Sequence, residues 1–418
     1  MTIGDGRVRH IYTSVDIGSD TMKVVVFELY KNKLNLLAAS SVKSAGIKKG
    51  VITDFDEASV SIKGAFTEIE QMLGIKITRV IANIPSYFSD YIKVEGTVKI
   101  EGENGTVDGR DISSAFEAAI KNKIMPNREM VTIVPIDFTV DDSGPVKDPK
   151  GLSGQYLKVR AILITVPTKN IYSVVNLIEH IGVEVIDISI GGLGDICTFR
   201  NDSMDKQIGS IINIGAETTS ITLYNKGIPV KNAIIQYGGK SIENDISYMY
   251  KVDASVAKNL KETFAMAHKK FASNNEFREV TDIYGNTIKV NQFEISEIVM
   301  SRVEEILTLA KEQIKGLTNK EIQYIILTGG SSGLPQLKAV ANEILGNVTI
   351  GNIKLVGVRN NKFSSAIGNI IFFINRLKLK GHNYSMVTEE ECENTSKRGR
   401  ANSNETMLGK VFGYFLGE

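Results

Sequence analysis

Two stretches, Val15-Asp16-Ile17-Gly18-Ser19-Asp20-Thr21 and Ile212-Asn213-Ile214-Gly215-Ala216-Glu217-Thr218, repeat one pattern. In each, an apolar run reaches Asp16 or Asn213 and turns at a glycine. The chain then returns as a second apolar run, Val24-Val25-Val26-Phe27 or Ile221-Thr222-Leu223-Tyr224. The offset is 213 − 16 = 197 residues. Repetition at that spacing predicts two similar folded halves rather than a short-period solenoid. Glycine admits backbone conformations and close approaches closed to other residues, and the N–H groups of such a turn form an anion nest. A single hairpin of this kind reads as an ordinary turn. Two of them in matched halves predict two lobes that clasp one polyphosphate. Asp16, at a strand end, suits a metal-bound water, and Lys23, on the returning strand, is placed to reach a phosphate.

Further along, residues 324–333 read as a strand, a glycine-rich turn (Thr328-Gly329-Gly330-Ser331-Ser332-Gly333) and a helix start. Helix N-termini and open backbone N–H groups favour phosphate. The spacing is neither that of a P-loop nor that of a dinucleotide-binding fingerprint. Between the repeats, apolar spacing predicts a helix over 55–73, with Asp54 as its N-cap and Gly74 as its stop. A strand follows at 78–84. Residues 86–166 then read as an inserted α+β module, with strands at 91–100, 131–140 and 157–166 around a helix at 111–124. A helix over 168–181 and a strand over 183–190 lead to Gly191-Gly192-Leu193-Gly194. Gly238-Gly239 opens a long helical region, 240–272 and 292–315, and a last helix runs from Ser364 to about Leu379.

The 418 residues carry 49 Lys and Arg against 48 Asp and Glu, a net charge of +1. That balance is not the basic footprint of a nucleic-acid binder, and no nucleic-acid partner is expected. Cys197 and Cys392 offer neither a disulfide framework nor a metal spacing. The first residues lack the apolar core of a signal peptide, and no apolar run approaches the roughly 18–20 residues that span a bilayer. Composition therefore predicts a soluble, cytosolic chain. The four histidines show no ligand spacing.

Apolar content falls away over 380–404, which reads as a disordered linker, and returns in the last fourteen residues. There Leu408, Val411, Phe412 and Phe415 fall at i, i+3, i+4 and i+7 on one helical face, which Met407 and Leu416 widen. Lys397, Arg398 and Arg400 lie just upstream. Such a peptide has little helix of its own in water. Burying its apolar side chains at about 1.5–3 kcal/mol each predicts weak, reversible lipid binding by one copy, which polymerisation multiplies.

The two hairpins, Gly238-Gly239 and Thr328-Gly329-Gly330 together resemble the actin, hexokinase and heat-shock chaperone superfamily. Within it the chain resembles the bacterial cell-division family FtsA. Gly46-Ile47-Lys48-Lys49-Gly50-Val51-Ile52 and Asp148-Pro149-Lys150-Gly151-Leu152-Ser153-Gly154 carry that closer likeness, which covers about residues 12–379 and the terminal helix. The resemblance implies an α/β, two-lobed actin-like ATPase fold with an inserted α+β subdomain and a C-terminal amphipathic helix. Its parts would be a first lobe (1–85 and 167–205), the insertion (86–166), a second lobe (206–238 and 321–379), a helix-rich subdomain (239–320), the linker (380–404) and the membrane-targeting helix (405–418).

It further implies ATP with Mg2+ between the lobes. Asp16, Gly18, Ser19 and Lys23 would form the first phosphate loop, and Gly215, Ala216, Glu217 and Thr218 the second. Gly238, Gly239 and Asn244 would lie near ribose and phosphates, and Gly329, Gly330 and Ser331 near the adenosine. Lys258 and Lys261 would border adenine and ribose, although the family commonly places Glu where Lys258 stands. Asp16 and Asn213 would face the metal. The second hairpin of the family usually begins with Asp, and Asn213 has no charge for a metal. Ala216 and Glu217 also replace usual glycines. Phosphoryl transfer depends on placed charge, so slow or negligible hydrolysis is expected. By the same resemblance, the 239–320 lobe would receive the C-terminal tail of the tubulin-like protein FtsZ, with Arg302 facing an acidic residue. The chain would self-associate into filaments on the cytoplasmic side of the cell membrane at the division site. Two rival readings share the superfamily: a small-molecule kinase, which needs a carboxylate base in the cleft, and a pilus-type actin-like adaptor.

Overall fold

A computed structural model describes residues 10–387. The helical face at 405–418, its upstream basic residues and positions 388–404 of the expected linker lie outside the described residues.

The chain opens with β1 (His10–Ile17), β2 (Thr21–Tyr30) and β3 (Lys33–Lys43), a meander. A short hairpin, β4 (Ile47–Lys48) and β5 (Val51–Ile52), leads to α1 (Phe55–Leu73). The ends of α1 fall as the sequence predicts. The Asp54 side chain accepts from the Glu57 N–H, and Gly74 closes the helix at φ 67°. That is the N-cap and left-handed C-cap chemistry of a free helix end. Ala58, Ile62, Ala65, Phe66 and Ile69 form its buried face. After β6 (Arg79–Ile84) the insertion follows: β7 (Asp90–Lys99), α2 (Gly109–Ile120), β8 (Arg128–Val140) and β9 (Tyr156–Pro167). Its sheet runs β7-β9-β8, and Ile112, Phe116, Phe138 and Leu157 form its own core. Next come α3 (Thr168–His180), β10 (Glu184–Ile190) and α4 (Gly191–Phe199).

The second half repeats the first. β11 (Ile208–Ile214), β12 (Thr219–Asn225) and β13 (Ile228–Ile235) form a second meander. Then follow α5 (Gly239–Tyr250), α6 (Ala254–Thr263), β14 (Phe277–Thr281), β15 (Thr287–Asn291) and α7 (Gln292–Leu317). The chain ends through β16 (Tyr324–Thr328), α8 (Leu337–Leu345), β17 (Val348–Ile350) and α9 (Ser364–Lys380). The two large sheets run β10-β6-β1-β2-β3 and β13-β12-β11-β16-β17. In both, an antiparallel meander is extended by two parallel strands. The register repeats as well: Asp16 pairs Lys23, and Asn213 pairs Ser220.

Several local expectations are corrected. The region 240–272 is not one helix: α5 stops at Lys251, φ 51°, and α6 ends at Thr263. The β14–β15 hairpin precedes α7. The Gly191–Gly194 stretch, given no element from the sequence, opens α4. Residues 384–387, read as linker, dock on β1. Ile11 N–H donates to Ser385 Oγ, Met386 N–H donates to Ile11 O, and Met386 is buried.

Two crossing helices join the halves. α4 follows the first sheet and packs against the second, where Tyr224 Oη donates to Gly192 O at 2.5 Å. α9 follows the second and, with Phe363 just before it, packs Ile367, Ile370 and Phe373 against Tyr12, Val25 and Phe27 of the first. They cross at Gly194 and Gly368, where a Cβ on Gly368 would lie 1.6 Å from Gly194 O.

Candidate functional site

The meanders bring their turns to face each other across a cavity of about 740 Å³. The turns share one backbone device. Gly18 N–H donates to Thr21 O at 3.2 Å, and Gly215 N–H donates to Thr218 O at 2.9 Å. Gly18, Ser19, Lys23, Gly215, Ala216, Glu217 and Thr218 all line the cavity, with Asp16 and Asn213 at its base.

The side chains at the turns differ. In the first, Lys23 Nζ meets Asp16 Oδ2 at 2.7 Å, and Asn83 Nδ2 donates to Asp16 Oδ1 at 2.8 Å. In the second, Asn213 Nδ2 donates to Asp195 Oδ2 at 2.8 Å. Asp195 lies behind the wall, on α4. Its other oxygen accepts from Ser364 Oγ (2.6 Å) and Ser365 Oγ (2.9 Å). Burial pushes the Asp195 carboxyl up to about 6, against the lowering effect of those donors. The second lobe has its own lysine–carboxylate pair farther out, Lys261 with Glu243, both buried and both on the cavity wall.

Several contacts bridge the lobes at the cavity, among them Lys362 Nζ, which donates to Ser41 Oγ at 2.9 Å. Lys258 Nζ donates to both oxygens of Asp20 at 3.0 and 2.8 Å. Burial raises the Asp20 carboxyl, but the Lys258 hydrogen bond and charge outweigh it and hold the group below its usual range. Lys240 Nζ reaches Glu217 Oε1 at 2.8 Å and Ser19 O at 3.2 Å. Glu217 also accepts the Lys49 N–H from the turn between β4 and β5. That turn leans over the first glycine turn, where Gly50 N–H donates to Ser19 Oγ at 2.7 Å. The Gly46–Ile52 motif is thus part of the cleft wall. In the other quoted motif, Lys150 Nζ holds Lys378 O at the end of α9.

Gly329, Gly330 and Ser331 line the cavity, and Ser331 Oγ donates to Gly215 O at 3.1 Å. Gly329 adopts φ 88° and sits so close to Asn213 that a Cβ there would lie 2.4 Å from Asn213 Oδ1. Gly238 and Gly239 stand one layer behind the wall. Gly239 N–H donates to Gly215 O at 2.9 Å, so the pair buttresses the second turn. Asn244 is a correction. It is exposed on the far side of α5 and does not line the cavity; the helix turns its neighbour Glu243 inward instead. Arg302 holds Asp245 at 2.7 and 2.9 Å and also pairs with Glu305. Those hydrogen bonds and charges push its guanidinium above the usual arginine value. Asp195, Asn83 and Glu243 were not singled out from the sequence. Among the described residues no cluster of three or more His, Cys, Asp or Glu is placed to hold a metal, and no helix is long and apolar enough to cross a membrane.

Two sheets of one topology, joined by crossing helices around a cleft with paired glycine turns, define an actin-like two-lobed protein. Solved structures agree in fold: the PilM–PilN type IV pilus biogenesis complex (TM-score 0.57, 15% identity, covering 88% of this chain and 98% of that one). MreB5 of Spiroplasma citri bound to ADP gives 0.53 at 14% identity, over 89% and 98%. A family model described as cell division protein FtsA matches residues 210–368, and one described as the SHS2 domain inserted in FtsA matches 90–165. Cell division protein FtsA of Enterococcus hirae is 30% identical over 87% of this chain and 83% of its own length. That of Bacillus subtilis is 29% identical over 91% and 88%. The chain belongs to the FtsA family, and it is an actin-like cell-division protein.

Proposed function

We propose that this chain binds ATP with Mg2+ in the cleft, assembles into filaments, and ties FtsZ filaments to the cytoplasmic face of the cell membrane at the division site. The observation that carries the reading is the pair of matched glycine turns facing one cavity in a chain of the FtsA family. Both turns leave backbone N–H groups for phosphate oxygens, and Lys23 supplies a positive charge on the cavity wall. Asp16 is the carboxylate at the base of the turns, whereas Asp20 and Glu217 are engaged by Lys258 and Lys240. One carboxylate suits Mg2+, which keeps several waters and binds largely through the phosphates. The MreB5 neighbour is a complex with ADP. With Asn213 uncharged, ATP turnover is expected to be slow.

The other parts divide as follows. The insertion, 86–166, makes subunit contacts along a filament. The 239–320 lobe takes the acidic tail of FtsZ, which competes with Glu305 for Arg302. Residues 405–418 take the membrane through Met407, Leu408, Val411, Phe412, Phe415 and Leu416. Liposome co-sedimentation tests the whole chain of events. The full-length protein with ATP is expected to carry FtsZ into the lipid pellet, and the chain lacking 405–418 is expected to leave it in solution. Equal pelleting by both would sink the tether.

A further inference from the structure

The second phosphate turn has a partner that its own sequence does not announce. Asp195 is 1% exposed. Three donors converge on it: Asn213 Nδ2, Ser364 Oγ and Ser365 Oγ. A carboxylate only accepts hydrogen bonds, so the Asn213 amide must present its nitrogen to Asp195. Its oxygen is then held on the Gly329 side, where only a glycine fits. The orientation of Asn213 is therefore fixed from both ends.

We propose that Asp195 is the positioning residue of the second phosphate turn: it holds Asn213 as a neutral amide and keeps the carboxylate of that pair behind the cleft wall, away from the metal–phosphate group. This rests on the nucleotide-cleft reading above. It carries a consequence that a single substitution hides. Asn213→Asp alone does not create an acidic turn of the usual kind. It removes the donor to Asp195 and sets two carboxylates against each other at a 2.8 Å contact, with Asp16 acting on Asp195 as a further like charge. Combined with Asp195→Asn, the same change is compatible with every neighbour. The amide nitrogen at 195 donates to the carboxylate at 213, and its oxygen accepts from the two serine hydroxyls. The charge has then moved to the cleft side.

The test is a double-mutant cycle in the full-length chain: Asp195→Asn, Asn213→Asp and both together. Thermal melting without nucleotide or metal reads the coupling. Asn213→Asp is expected to melt about 5 °C below the parent, and the double variant is expected to recover most of that loss. If Asn213→Asp yields no soluble protein, its return in the double variant supports the proposal, and loss of both overturns it. Binding of a fluorescent ATP analogue with and without Mg2+ gives a readout that a purely structural role would not move. Mg2+ is expected to strengthen binding about tenfold more in the double variant than in the parent. The proposal fails if Asn213→Asp alone is as stable and as Mg2+-responsive as the double variant. If no variant binds the analogue, the nucleotide reading fails, while the melting cycle still decides the role of Asp195.

Discussion

The two glycine turns occupy the same place in the same topology, yet only the first carries a lysine–carboxylate pair at its base; the charge on the second turn is Glu217, at its tip, held by Lys240. In the first, Asp16 and Lys23 sit opposite each other in the hairpin and pair at 2.7 Å. In the second, the equivalent positions are Asn213 and Ser220, both neutral. The carboxylate that Asn213 contacts, Asp195, is behind the wall, and a buried lysine–carboxylate pair, Lys261 and Glu243, stands farther out on α6 and α5. Backbone geometry and charge have separated: the repeat preserves the nest and relocates the electrostatics. A turn with a neutral base still offers N–H groups that suit phosphate, but its base places no charge to activate a metal or a water.

The largest expected effect breaks the outer pair. Glu243→Ala leaves Lys261, which is 4% exposed, with only a 3.9 Å contact to Glu262, and is expected to cost about 3 kcal/mol of stability. The adjacent, exposed Asn244→Ala should stay within about 0.5 kcal/mol. Denaturant unfolding of both variants checks the contrast, and equal effects would restore Asn244 to the site. Next, Gly368→Val strikes the support that both turns share. The Cβ clash with Gly194 O is with backbone, so a loss of about 2–3 kcal/mol is expected by the same measurement. For the turns themselves, Lys23→Ala should weaken ATP binding about 10–100-fold, through loss of a charge-assisted hydrogen bond. Ser220→Ala should change it less than about 3-fold. Calorimetry that found the two equal would end the asymmetry. The smallest effect belongs to the Lys258–Asp20 bridge. Both side chains are partly exposed, so screening limits it to about 0.5 kcal/mol. Its sign with pH is fixed. The Asp20 carboxyl titrates below its ordinary value, so the bridge stabilises above that ordinary value and its contribution is lost as pH falls through the lowered one. The stability gap between the parent and Asp20→Asn should therefore be present at neutral pH and vanish in acid.

Much of this was legible because it was repeated. Hairpins 197 residues apart announced two equivalent halves, and Asp54 and Gly74 marked α1 through the chemistry of its ends. What stayed hidden were facts of tertiary contact. Asp195 follows three glycines in the Gly191–Gly194 stretch, a composition that marks no helix, yet the stretch opens α4 where it crosses α9. Its role exists only once Ser364 and Ser365 arrive from 169 and 170 residues away. Glu243 and Asn244 differ by one position, and helical rotation alone decides which faces the cavity. The β14–β15 hairpin was masked by the helices on either side. Met386 reads as polar linker by its neighbours' composition, and only the open backbone of Ile11 and Thr13 makes it a docking residue.

The contact between Gly194 and Gly368 bears on how the molecule moves. Helices that interlock through large side chains must disengage ridge from groove to change angle, which favours a few discrete settings. At this crossing backbone meets backbone, with no ridge to climb. At this joint the two halves touch through peptide groups, so a change of angle between α4 and α9 would need no large side chains to disengage there.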